Sequence, residues 1–288
     1  MQEDSAAPLA RGRDALSRGS WEEARNCFEQ AVRESGSGEA YEALSWAAWW
    51  QSDSEVVFSA RERSHRLFLD IGDRVGAARM AMWLGVDYVD FRGELSIASG
   101  WRQRARRLLS GAPLSPEHAW LAVIDGDAAL LLEEDASAAR VNAQRARVIA
   151  AEVGVPDVEV LGLALDGIAA VSQGEAQEGM KLLDEAAVAA LAGDLKEPFS
   201  VSWALCYLIY ACERVRDYDR AAEWCERMRE YAEKANIQFA QGVCRAHYAG
   251  VLLLRGDWTE AESELDAATE LLANSRPAAT VESLVRLA

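Results

Sequence analysis

The sequence predicts an all-α chain, a right-handed superhelical solenoid of about seven helix pairs, and three observations predict it. A motif of the form Gly/Asp–aromatic–x–x–Ala, followed by a large residue and then Ala, recurs about every forty residues. Its clearest copies are Gly19-Ser20-Trp21-Glu22-Glu23-Ala24 with Phe28 and Ala31, Asp217-Tyr218-Asp219-Arg220-Ala221 with Cys225 and Met228, and Gly256-Asp257-Trp258-Thr259-Glu260-Ala261 with Leu265 and Ala268. Ala, Leu, Glu and Arg dominate, and no stretch alternates apolar and polar residues with β-branched enrichment, which is a helical composition. Gly, Pro and Ser punctuate the chain at the same period, as helix stops and restarts do. A fixed period of this length means stacked helix pairs, each contacting only its neighbours.

The small residue of the motif serves as an anchor and falls at Ala24, Val57 or Phe58, Ala98, Ala139, Gly179, Ala221 and Ala261. From the third anchor on, the intervals are 41, 40, 42 and 40 residues. Tetratricopeptide units run about 34 residues, so these pairs are tetratricopeptide-like with longer helices or an extra turn. Ala or Gly at the anchor lets the two helices of a pair approach closely. The residues four and seven positions later pack on the following helix. The motif aromatics Trp21, Tyr218 and Trp258 are read as caps over the gap toward the next pair.

The first pair is expected over 6–18 and 21–35, broken at Gly19 and closed by Ser35-Gly36-Ser37-Gly38. The second occupies 38–51 and 54–70 and stops at Gly72-Asp73; the third, 74–91 and 94–109, stops at Gly111-Ala112-Pro113. In the fourth, 116–132 and 136–153, Ser115-Pro116-Glu117 supplies an N-cap and a Pro in the first turn, and Gly154-Val155-Pro156 ends the pair. The fifth runs over 157–172 and 175–192 to Gly193-Asp194, the sixth over 199–214 and 218–235, and the seventh over 238–254 and 258–274 to Ser275-Arg276-Pro277. Residues 277–288 carry an apolar stripe (Ala278, Val281, Leu284, Leu287) and read as an eighth first helix without a partner. The expectation is one repeat domain over 1–288, cut in its eighth repeat, with no DNA-binding domain inside it.

The net charge is −17, with most of the excess acid beyond residue 110. Such a surface repels phosphate backbones, so direct nucleic-acid binding by this chain is not expected, whereas a basic peptide or cationic molecule is steered toward it. The ordinary role of the acid is to keep an Ala/Leu-rich solenoid in solution. Met1–Asp4 is polar and acidic, unlike a signal peptide. The greasiest stretch, Ala119–Leu132, is interrupted by Asp125 and Asp127, so no membrane span is expected. Five cysteines, an odd number inside helical patterns, read as reduced thiols of a cytoplasmic protein.

Aligning the first helices predicts which residues face the concave groove. Repeat two offers Trp46, Trp49 and Trp50; repeat three, Trp83, Asp87, Asp90 and Phe91; repeat six, Trp203, Cys206, Tyr210 and Glu213. Rings interleaved with carboxylates suit a sugar, a cationic small-molecule effector or an Arg/Lys-bearing peptide or protein partner. The plainer reading is that the tryptophans fill wide inter-helix gaps. Trp49 and Trp50 point about 100° apart and so cannot both face one packed layer. Asp87 and Asp90 share a helix face and are read as a solvated pair. Cys244 and His247 lie at i, i+3, but four converging ligands are not placed, and no metal or other cofactor is expected. Arg102, Arg104, Arg106 and Arg107, with Arg61, Arg63 and Arg66, lie on second helices and read as a solvated convex face or a docking strip for an acidic partner or another copy. No Ser–His–Asp spacing, Gly-rich loop or nucleophile elbow is present, so no catalytic residue is expected.

The forty-residue period, the motif, and the phrases Ala47-Ala48-Trp49-Trp50, Gln103-Arg104-Ala105-Arg106-Arg107-Leu108-Leu109 and the run 206–221 resemble the tetratricopeptide-type region of actinobacterial LuxR-family transcriptional regulators. The resemblance spans essentially the whole chain. It implies a region that senses a ligand or partner protein, with a helix-turn-helix elsewhere binding promoter DNA. The sequence has no Gly-x-x-x-x-Gly-Lys-Ser/Thr phosphate loop, and no helix-turn-helix is recognisable up to Ala288. The alternative is a stand-alone adaptor that holds a basic peptide or protein.

Overall fold

The computed structural model of the chain describes residues 2–273 except Asp194, together with Arg276, Thr280 and Val285; the side chains of residues 2–6 and 238 are not described. Helix ends fall where capping chemistry puts them. Asp53, Asp73, Asp135 and Asp217 each accept a hydrogen bond from the backbone N–H three residues on, at 3.2, 2.8, 2.9 and 3.3 Å. These caps satisfy donors that the first helical turn leaves orphaned. At the other ends Gly36, Gly93, Gly154 and Gly256 adopt the left-handed conformation that closes a helix. Ser115 forms a reciprocal capping box with His118.

The helices so bounded are α1 (Gln2–Ser17), α2 (Trp21–Ser35), α3 (Gly38–Trp50), α4 (Ser54–Asp70), α5 (Arg74–Arg92), α6 (Leu95–Leu109), α7 (Pro116–Leu131), α8 (Ala136–Val153), α9 (Pro156–Ser172), α10 (Ala176–Leu191), α11 (Pro198–Val215), α12 (Tyr218–Lys234), α13 (Gln238–Arg255) and α14 (Trp258–Ala273). These are the seven expected pairs, and among the described residues no strand occurs. The largest boundary difference is at α1, which starts at Gln2 rather than at residue 6. The expected eighth helix over 277–288 lies outside the described residues, apart from helical Thr280 and Val285. Among the described residues, no helix is long and apolar enough to cross a membrane.

Two compact units contain these helices. One comprises Met1–Ala112 with Ala273–Ala279; the other comprises Pro113–Leu272 with Thr280–Ala288. In the first unit α1 to α6 pack in succession, and in the second α7 to α13 do so.

The repeat register explains the core. The anchors Ala24, Val57, Ala98, Ala139, Ala221 and Ala261 are essentially inaccessible, and Gly179 is buried. The positions four and seven after each anchor are buried as expected. The seven-after set reads Ala31, Ser64, Ala105, Ala146, Ala186, Met228 and Ala268, and the four-after set Phe28, Arg61, Arg102, Ala143, Leu183, Cys225 and Leu265. Two arginines therefore occupy a core column, which overturns part of the expected solvated basic face. Arg61 has no exposed surface, and the stem of Arg102 lies against Gly85, whose missing side chain leaves room for it. Arg63, Arg66 and Arg107 are exposed as expected; Arg104 is exposed too, and its Nε donates to His65 Nε2 at 2.8 Å. Of the motif aromatics, Trp21 stacks on Trp50 of the next pair, with ring centroids 4.6 Å apart and planes 9° from parallel. Trp258 is 71% exposed.

Candidate functional site

In the first unit, six of the predicted groove residues converge with two arginines. Trp46 and Trp49 come from α3, and Trp83, Asp87, Asp90 and Phe91 from α5. Asp87 is not the solvated carboxylate that its i, i+3 spacing from Asp90 suggested. It has no exposed surface, and its Oδ2 lies 3.2 Å from Nε of the equally buried Arg61 on α4. Helical geometry does place Asp87 and Asp90 on one face, but that face turns toward α3 and α4, and only Asp90 keeps partial exposure.

The Arg61 guanidinium sits 4.5 Å from the Trp46 ring centroid and 5.8 Å from that of Trp83, two rings that meet edge to face with centroids 5.0 Å apart. None of its three nitrogens makes a well-aligned hydrogen bond. Burial outweighs the attraction of Arg61 and pushes the Asp87 carboxyl up to about 7, with Asp90 adding to the rise and Arg276 and the Trp49 indole opposing it. Burial likewise raises the Asp90 carboxyl against the pull of Arg276 and Arg61, and lowers the Arg61 guanidinium.

A second arginine completes the cluster. Arg276 is 3% exposed, and its guanidinium lies 4.0 Å from the Phe91 ring centroid and 4.7 Å from that of Trp49. Its Nη1 donates to Ser52 Oγ at 2.9 Å and its Nη2 to the Trp49 carbonyl at 3.3 Å. The cluster thus holds two cations against two carboxylates inside an aromatic box. Trp50 stacks on Trp21 and also meets the Trp49 ring edge to face, with centroids 4.9 Å apart and planes at 90°. The two adjacent tryptophans thus point differently, as their 100° separation requires, but their rings stay in contact.

In the second unit the repeat-six candidates disperse. Trp203 Nε1 donates to Asp127 Oδ1 at 3.4 Å, and the buried Tyr207 hydroxyl donates to the same oxygen. Tyr210 carries Arg214 over its ring. Cys206 and Glu213 meet at His247 of α13, whose Nδ1 lies 3.5 Å from Glu213 Oε1. Burial favours the neutral imidazole, but the contacts with Cys206 and Glu213 outweigh it and raise the His247 pKa well above its usual range. Cys244, the sequence partner of His247 at i, i+3, turns away and donates to the Cys225 carbonyl at 3.0 Å. Among the described residues no three His, Cys, Asp or Glu are grouped to hold a metal ion. A surface hollow of about 560 Å³ beside α8, α9 and α10, walled by Val148, Ala151, Val160 and Leu163 with Arg147, Glu159 and Glu185, contains none of the predicted residues.

No family model matches the chain, and neither does any curated protein. Solved structures do. A Rap protein complexed with competence and sporulation factor superposes with a TM-score of 0.65 at 11% identity, over 94% of this chain and 77% of that one. A signal transduction ATPase with numerous domains from Pyrococcus horikoshii, which has a tetratricopeptide repeat sensor, gives 0.54 at 16% identity, over 95% of this chain and 42% of that one. Aspartyl phosphate phosphatase F from Bacillus subtilis gives 0.52 at 10% identity, over 91% and 73%. At these identities the likeness is one of fold: the chain is a helical-repeat solenoid of tetratricopeptide type.

Proposed function

We propose that this chain is a non-enzymatic sensing and binding module, the ligand- or partner-sensing helical-repeat region of a LuxR-type transcriptional regulator. Its recognition site is the aromatic–carboxylate box of the first unit. One observation carries the reading: a charged pair without exposed surface, Arg61 and Asp87, is walled by Trp46 and Trp83 beside a partly exposed Asp90. Burying such a pair is a poor way to stabilise a fold, since apolar residues of similar volume do as well or better. Such a pair suits a binding site better than a purely structural one. The carboxylates and rings favour a cation, and the net charge of −17 steers basic partners to the surface. Rap and the signal transduction ATPase support the reading by analogy of fold, the first having been solved with a factor bound and the second having a repeat region described as a sensor. The phrases at 47–50, 103–109 and 206–221 support the regulator context. The same charge favours, as a second reading, an adaptor that holds a basic protein without any DNA-binding domain in the polypeptide.

A short peptide with two arginines is expected to quench or enhance the tryptophan emission of the whole chain, while its glutamate counterpart leaves it unchanged. The affinity should fall several-fold between low and physiological salt, because part of the attraction is long-ranged. Asp90→Asn is the diagnostic variant, since Asp87 is committed to Arg61. Equal response to both peptides, or full binding by Asp90→Asn, would remove the box as the site.

A further inference from the structure

Arg276 enters the box from a distant part of the sequence. The described groups that seat it lie between residues 49 and 91: the Trp49 and Phe91 rings, the Trp49 carbonyl and the Ser52 hydroxyl, with the charges of Asp90 and Asp87 attracting it. Ser52 is held at φ 59°, a backbone conformation uncommon for a residue with a side chain. It places a hydroxyl acceptor at the edge of the seat. The seat therefore provides two aromatic faces, two carboxylates and two neutral acceptors around one planar cation. That set matches a guanidinium better than an ammonium, because flat stacking and in-plane donation are used together.

We propose that this seat is a receptor for an arginine side chain of a protein partner, and that Arg276 is its internal occupant, displaced when the partner binds. The inference rests on the reading of the first-unit box as the recognition site, and it names the partner chemistry and the regulation of that site. The seat's walls come from neighbouring helices, α3 and α5, and the turn after α3, whereas the occupant lies beyond α14. Seat and occupant are thus far apart in the sequence although they meet in the fold. An internal ligand lowers apparent affinity for the external one by the fraction of molecules in which the seat is filled. Specificity follows from the same geometry, since a partner must present a guanidinium able to make the contacts that Arg276 gives up.

The test uses the full chain as wild type, Arg276→Ala and Arg276→Lys, titrated with N-acetyl-arginine amide and followed by tryptophan emission, with the citrulline and lysine analogues as controls. Vacating the seat is expected to tighten binding of the arginine amide at least ten-fold relative to wild type. The citrulline analogue, which has the same shape without the charge, should not bind. Arg276→Lys keeps the charge at the box and guards against misfolding of the alanine variant; it should bind the arginine amide more tightly than wild type, because lysine fills the seat less well. Adding Asp90→Asn to either variant should abolish the gain. If wild type and both Arg276 variants bind the arginine amide equally, Arg276 is not a competing occupant, and the recognition reading survives without it. If none of them binds while far-UV circular dichroism shows the variants folded, both the inference and the reading fall. A misfolded alanine variant together with a lysine variant that binds no better than wild type identifies Arg276 as a structural staple and overturns the proposal.

Discussion

Asp87→Asn is expected to destabilise the first unit by about 3–5 kcal/mol, although it changes almost no volume. The substitution leaves Arg61, which has no exposed surface, without the carboxylate 3.2 Å from its Nε. A guanidinium does not escape by deprotonation, so the uncompensated charge must be carried by the fold. Replacing both partners by apolar residues of similar volume, Arg61→Met with Asp87→Leu, should recover most of that loss, because the desolvation of two ions disappears along with their attraction. The measurement is denaturant unfolding followed by tryptophan emission, with hydrogen exchange over 38–92 to locate the effect, since a repeat chain need not unfold in one step. A double variant as unstable as the single one would mean that the pair contributes more than its charges. A single variant as stable as wild type would mean that Arg61 reaches solvent or another acceptor.

The helices were legible because propensity, capping and punctuation agree at every pair. The core was legible too, further than residue character suggests. The rule that the residue four after the anchor packs inward places Arg61 and Arg102 in the column that holds Phe28, Leu183 and Leu265. Assigning all the arginines of α4 and α6 to a solvated face followed their charge instead of that rule. Of the candidate site, Trp46, Trp49, Trp83, Asp87, Asp90 and Phe91 share first-helix positions in adjacent repeats, and adjacency in a solenoid brings such positions together. Arg276 had no such signal. It lies outside the repeat register, and no local pattern links a residue beyond the last described helix to α3. His247 was matched with Cys244 by spacing along one helix, but its contacts, Cys206 and Glu213, lie on the neighbouring first helix, α11, where only packing could place them.

Gly179→Ala is expected to lower stability by about 1–3 kcal/mol, while Gly100→Ala raises it by about 1 kcal/mol, although both are mid-helix glycines. In a helix interior alanine is ordinarily better than glycine, because it reduces the freedom of the unfolded chain and shields the backbone. Gly100 shows that rule undisturbed: it is exposed on α6, and a Cβ there meets nothing within 4 Å. At Gly179, the anchor of the fifth pair, the same methyl would lie 2.4 Å from the Gly167 carbonyl oxygen and 2.8 Å from the Val171 nitrogen. Both are backbone atoms of α9, so no rotamer change relieves the contact, and α9 and α10 must separate. The approach is reciprocal, since a Cβ at Gly167 would meet the Gly179 carbonyl at 2.8 Å. Separation forfeits the packing of Leu183 and Ala186, which are buried along the same interface. Because neighbouring interfaces hold a repeat chain together, hydrogen exchange in Gly179→Ala should accelerate over α9 to α11 and leave α2 to α5 protected. Exchange that rises evenly from α2 to α13 would instead indicate one cooperative core. A stabilised Gly179→Ala would indicate that the two helices are farther apart than the anchor pattern requires.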